Sequence, residues 1–212
     1  MPGFRVPSAV LFGAAAVATA SFVALTRAVA RGKTARWDRR AKRAVHDGKS
    51  NGSATGALSV ASRATTPLGK WWGQVPAALV TAAKLRREHR HAAAVTIAGT
   101  SIAAALLPLL LDRVTLRRPP PPERGEPEKQ SYPSGHALQS SAMAVAAGYV
   151  MQREQLAAPR WLAPLGPLSL ATGLSRLFLD RHWTSDVAAG YCAGVALGAT
   201  SAGLYELVRA GR

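Results

Sequence analysis

Cysteine is almost absent: Cys192 is the only one in 212 residues. An internal disulfide is therefore excluded, and so is any metal site built on several thiolates. Aromatic residues are scarce at 6% and alanine is plentiful, which favours packed helices over sheets. Acidic residues are few: 11 Asp and Glu against 27 Lys and Arg leave a formal charge of +16. A charge of that size suits nucleic acid, anionic lipid headgroups or phosphorylated substrates. The positive residues flank long apolar runs instead of coating a soluble surface, and nucleic acid is set aside on that ground. No internal repeat is present.

What the chain does have is segregation. A mean hydropathy of +0.05 conceals long uncharged runs between basic blocks. Residues 6–26 form an uncharged run of 21, enough to cross a bilayer and longer than the core of a cleaved signal, so a retained anchor is expected. Residues 27–49 are strongly basic and read as a helix at headgroup level. Residues 50–56 are rich in Gly, Ser and Asn and read as a loop. A span over 64–83 requires Lys70 inside it, with Trp71 and Trp72 at the interface so that the lysine reaches water. Residues 91–111 give the cleanest span. The stretch 113–129 carries Pro119 to Pro122 in a row and must be a loop. Residues 131–152 read as loop then helix, 161–179 as a span with Arg176 inside it, and 187–205 as a last span.

The expected fold is an all-α, multi-pass transmembrane bundle of about six spans, or five if 64–83 does not cross. Residues 1–56 would form an anchor and basic interfacial segment, and 57–212 the core. With six spans, the polar loops before 135 and after 179 share a face with 27–49. With five, the basic segments 27–49 and 84–90 share a face opposite those loops. In the last helix, four-residue spacing gathers Gly190, Gly194, Gly198 and Ala202 on one side. That stripe should pack into the bundle and set the depth of Asp186.

Three polar segments lie beside these spans, where ionisable residues are costly and function is the default reading. The first is Arg117-Arg118-Pro119. The second is Pro133-Ser134-Gly135-His136, a proline and a Ser cap before an apolar run, which marks a helix start. Amides at such a start attract an anion, and Gly135 lets it come close to the backbone. The third is Ser175-Arg176, then His182 and Asp186, four apart and on one face if helical. A carboxylate on one imidazole nitrogen leaves the other a better nucleophile. Two histidines, a carboxylate and two arginines are an inventory for phosphoryl transfer through a phosphohistidine. His46, His89 and His91 lie in basic turns and read as solvated.

These segments resemble the type 2 phosphatidic acid phosphatase superfamily, which shares its helical core with vanadium haloperoxidases and bacterial acid phosphatases. The pattern is Lys, six residues, Arg-Pro; then Pro-Ser-Gly-His; then Ser-Arg, five residues, His, three residues, Asp. The second and third parts are complete here, and the likeness covers roughly residues 93–207. In the first part Arg118-Pro119 matches, but Leu111 stands at the lysine position; Arg113, Arg117 or Lys129 could supply the charge. The resemblance implies that His182 is the nucleophile, Asp186 its orienter and His136 the general acid. It implies that Arg118, Ser134, Gly135 and Arg176 hold phosphate, and that no metal or other cofactor is required. The implied protein is a membrane lipid-phosphate phosphatase of the cell membrane, acting on phosphatidic acid, phosphatidylglycerol phosphate or a polyprenyl phosphate. Rival readings are a lipid phosphotransferase, a vanadate-dependent oxidase on the same core, and a non-catalytic membrane protein.

Overall fold

The computed structural model describes residues 4–50, 69–114 and 131–211. The loop expected over 50–56 lies outside them except for Ser50, which ends a helix, and the candidate residues Arg117, Arg118 and Lys129 lie outside them. The described residues are helical, with helices α1 (Ser8–Ala30), α2 (Ala35–Ser50), α3 (Trp71–Arg87), α4 (His91–Val114), α5 (Gly135–Arg153), α6 (Pro159–Leu162), α7 (Leu165–Phe178) and α8 (Thr184–Ala210).

Among the described residues three helices are long and apolar enough to cross a membrane: α1, α4 and α8. The other long members of the bundle are shorter or more polar. At 1.5 Å per residue, the 17 residues of α3 reach about 26 Å and the 14 of α7 about 21 Å, against a hydrocarbon core of about 30 Å. The expected span over 161–179 is broken, because Pro164 precedes the first turn of α7 and separates it from the single turn α6. The span expected to contain Lys70 begins after it: Lys70 is the extended residue before α3, so it is not carried inside that helix.

The chain reverses at the ends of these helices. α1 closes on Gly32 at φ 66°, where the Lys33 amide bonds back to the Ala28 carbonyl at 2.9 Å; this six-residue closure needs a left-handed residue that glycine supplies freely. One end of the bundle gathers the C-terminus of α1, the start of α3 and the residues around 134 and 182. There Thr26 and Tyr132 share a hydroxyl bond of 2.7 Å. The other end is closed by ion pairs. Buried Glu206 accepts from Tyr149 at 3.0 Å and Arg153 at 2.9 Å and pairs with Arg5 at 3.4 Å. Glu154 takes Arg90 at 2.9 Å and Arg209 at 2.7 Å and the hydroxyl of Tyr205. The basic segments 27–49 and 84–90 therefore lie at opposite ends of the bundle.

α5 and α8 make the most extensive helix contact, and the small-residue stripe is its cause. A Cβ at Gly190 would meet the Ser134 carbonyl and stand 3.0 Å from Ala137 Cβ. At Gly194 it would meet Ser141 Oγ and the Leu138 carbonyl, and at Gly198 the Ala142 carbonyl at 2.7 Å. Ala202 is fully buried. Close backbone approach of this kind replaces the hydrophobic drive that lipid does not provide. Gly194→Ala should cost about 1–3 kcal/mol by overpacking and lower the yield of folded protein. Gly13→Ala, where nothing lies within 4 Å, should change stability by less than about 0.5 kcal/mol. Thermal unfolding in detergent, read by fluorescence size exclusion, compares the two; equal midpoints would remove the stripe from the account of how α5 and α8 meet.

Candidate active site

Two helix starts meet at one end of the bundle. Ser134, fully buried, is the extended N-cap of α5 and its hydroxyl accepts from the Ala137 amide at 3.5 Å. Its own amide donates to the Asp186 carbonyl in the first turn of α8 at 3.0 Å. That single bond ties the Pro-Ser-Gly-His turn to the segment carrying His182 and Asp186. No acidic residue stands in the first turn of α5, so the positive end of its dipole faces the site without an internal carboxylate.

His136 and Arg176 come together directly. Arg176, 4% exposed, places Nη1 at 3.3 Å from His136 Nε2. A guanidinium only donates, so Nε2 accepts. The guanidinium is held by Ser175 Oγ, which accepts from Nε at 3.0 Å and Nη2 at 2.9 Å; Ser175 donates in turn to the Thr172 carbonyl at 2.7 Å. The arginine thus stands braced from α7 with its fork aimed at the start of α5.

His182 precedes α8 instead of lying on it: Trp183 is the N-cap. The expected shared helical face with Asp186 is therefore not how the two are related. His182 Nδ1 lies 2.7 Å from the Ser131 carbonyl. A carbonyl only accepts, so Nδ1 carries the proton and Nε2 keeps its lone pair. Asp186, fully buried, accepts from the Trp183 amide at 2.8 Å and caps its own helix. Burial pushes the His182 ring down from 6.5 to about 4; the Ser131 bond opposes this, and the charges of Arg176, Arg181 and Lys70 add to it. The ring is neutral at ordinary pH.

Residues that the sequence reading passed over complete the surroundings. The charge of Lys70 bears on both histidines. Its neighbour Gly69 is wedged against the site: a Cβ there would stand 2.9 Å from His136 Cβ and 2.7 Å from Thr172 Cγ2. Ser131 supplies the carbonyl for His182. Asp38, on the basic helix α2, accepts from the Ser185 amide and hydroxyl, each at 2.9 Å. Leu111 lies in an apolar cluster with Ala104, Leu138, Ala142 and Ala193. Asp180, at φ 55°, lies in the turn between α7 and His182. Among the described residues no three His, Cys, Asp or Glu side chains converge as metal ligands.

The site so assembled has a neutral imidazole with its Nε2 lone pair, a second histidine on an arginine, a helix start and the positive charges of Arg176, Arg181 and Lys70 acting on both rings. Those are the parts for binding a phosphoryl group and displacing at phosphorus. Residues 112–207 match the PAP2 superfamily. The fold is similar to the crystal structure of the first transmembrane PAP2-type phosphatidylglycerolphosphate phosphatase from Bacillus subtilis, with a TM-score of 0.78 and 18% identity over 94% of this chain and 99% of that one. No match was found among curated proteins. The stretch that carries Ser134, His136, Arg176, His182 and Asp186 is the stretch that matches the PAP2 superfamily.

Proposed function

We propose that this protein is a membrane lipid-phosphate phosphatase that works through a phosphohistidine on His182. The observation that carries the reading is the bond from His182 Nδ1 to the Ser131 carbonyl, because it leaves Nε2 as the nucleophile in a site where Arg176 already meets His136. Nε2 attacks phosphorus, and the bond to the lipid oxygen breaks. Arg176, Arg118 and the Gly135 and His136 amides hold the equatorial oxygens. Phosphate draws the Arg176 donors to itself, and His136 Nε2 is then available to carry the proton that goes to the leaving oxygen. In the second half His136 takes a proton from water, water attacks phosphorus, and inorganic phosphate leaves as the P–N bond breaks. In this reading Asp186 positions His182 by fixing the turn that follows it.

Lys70 takes the part that Leu111 cannot play, adding positive charge beside both histidines. The substrate is the phosphomonoester or pyrophosphate of a lipid: phosphatidic acid, phosphatidylglycerol phosphate or a polyprenyl phosphate. A cleft of ≈ 370 Å³ supports a lipid tail. It is lined chiefly by apolar residues, including Ala77, Met143, Ala147 and Leu168, and it reaches Thr172 beside Gly69. With α1, α3, α4, α5, α7 and α8 as six spans of the cell membrane, the site opens at one membrane face. A lipid phosphotransferase would use the same residues, with a lipid alcohol replacing water; the products decide between them.

Phosphate release from the three lipid classes, with chelator present, tests the proposal. His182→Ala should reduce kcat by at least about 10³-fold, and acid-labile phosphate should be trapped on the wild type but not on the variant. Full activity in His182→Ala would leave the non-catalytic reading standing. The low pKa has its own check. Since the ring sits at about 4, it stays neutral as pH falls from 8 to 5 and gains its proton only below that. The ring ¹³C resonance of His182, assigned through His182→Gln, should not titrate over that range; a midpoint near 6.5 refutes the assignment. Gly135 separates ligand from packing, because a Cβ there would meet Pro108 at 3.6 Å, an ordinary contact. Gly135→Ala should fold normally and lose activity. Lys70→Gln should raise KM about tenfold or more with kcat less affected, in keeping with about 1.5–3 kcal/mol for a charged hydrogen bond; an unchanged KM removes Lys70 from the phosphate site.

A further inference from the structure

α2 is a basic helix with its charges sorted by face. Arg36, Arg39, Arg40 and Arg43 are exposed, with Trp37 among them, while Thr34 and Asp38 are buried and Lys42 is partly covered. Asp38 is only 1% exposed. Burying a carboxylate costs several kcal/mol unless donors replace its water, and here both oxygens find them on Ser185: Oδ1 accepts from the amide and Oδ2 from the hydroxyl, each at 2.9 Å. That amide belongs to the first turn of α8 and has no partner within its own helix. A carboxylate there also meets the positive end of the helix dipole. One turn along α2, the Lys42 ammonium stands 5.8 Å from the Trp183 ring centroid. Thr34, Asp38 and Lys42, four apart, form one inner stripe, and Asp38 and Lys42 both address residues 183–185.

We propose that Asp38 is a positioning residue for the reaction: from α2 it fixes the first turn of α8, and through that turn His182 and the Ser134 backbone. The contact falls three residues after His182 and one before Asp186, whose carbonyl takes the Ser134 amide. A shift of this turn moves the nucleophile and the start of α5 relative to each other. Misplacement by about 1 Å costs on the order of 10²-fold in rate. Ser185 is fully buried, so removing Asp38 takes an acceptor from both its amide and its hydroxyl. The claim rests on the phosphohistidine reading, and its test is chosen to fail separately from it.

The full chain, purified in detergent, is assayed as wild type, Asp38→Ala, Asp38→Asn, Ser185→Ala and the Asp38→Ala/Ser185→Ala double variant, with turnover expressed per mole of folded protein. Asp38→Ala should lower kcat about 10²-fold with KM within about threefold, since no phosphate contact is removed. Asp38→Asn, which keeps the shape and one acceptor, should fall between it and wild type. The double variant should be no slower than Asp38→Ala, as expected of two residues acting through one contact. The ring resonance of His182 should move in Asp38→Asn, a readout that does not depend on turnover. A kcat within twofold of wild type in folded Asp38→Ala, or losses that multiply in the double variant, overturn the proposal. If Asp38→Ala does not fold, Asp38→Asn and Ser185→Ala decide: wild-type kcat with an unmoved His182 resonance in both refutes it. A wild type inactive on every lipid phosphate, with a resonance that still moves, overturns the phosphatase reading and retains the positioning role.

Discussion

The hydrogen bond from the Ser134 amide to the Asp186 carbonyl is the contact on which the site depends. It can form only because α5 and α8 approach closely, and they do so because Gly190, Gly194 and Gly198 present no side chain to α5. The approach carries an electrostatic cost. Two helix starts side by side bring two partial positive charges together. α8 meets this with carboxylates, Asp186 on its own N-cap amide and Asp38 on Ser185. α5 has no acidic residue in its first turn and only the Ser134 hydroxyl as its cap. The place where an anion gains most is therefore the start of α5, beside His136, and not the start of α8.

The same asymmetry accounts for the state of His182. A histidine close to a carboxylate would be pulled towards its charged form. Here the carboxylate of Asp186 caps Trp183, the carboxylate of Asp38 holds Ser185, and the imidazole has a neutral carbonyl instead. Burial together with Arg176, Arg181 and Lys70 keeps the ring uncharged. A neutral imidazole is the form that can attack, and in the proposed mechanism the same cations favour the phosphoryl group. One field serves both needs, provided the carboxylates are engaged elsewhere.

Much of this was legible in the sequence, for identifiable reasons. Histidine and arginine beside apolar runs are rare and costly, so His136, Arg176 and His182 stood out against their surroundings. The glycine stripe was legible because helix periodicity repeats. What stayed hidden depends on contacts between distant segments. Asp38 and Ser185 are separated by 147 positions, and one aspartate in an arginine-rich helix reads as a local partner for its neighbours. Lys70 was taken for a lysine to be excused from a span, yet it precedes α3 and faces the histidines. The spacing of His182 and Asp186 suggested one helical face, but Trp183 begins the helix between them. Backbone acceptors such as Ser131 leave no mark in side-chain chemistry at all.

The two ends of the bundle engage their carboxylates differently. At the far end, Glu154 and Glu206 pair with Arg5, Arg90, Arg153 and Arg209. At the site end Asp38 and Asp186 accept from amides and a hydroxyl, and the charges of Arg176, Arg181 and Lys70 bear on His136 and His182. In the proposed mechanism a phosphate group entering at this end lies in the field of those cations, and its binding energy is concentrated where the bond to phosphorus is made and broken.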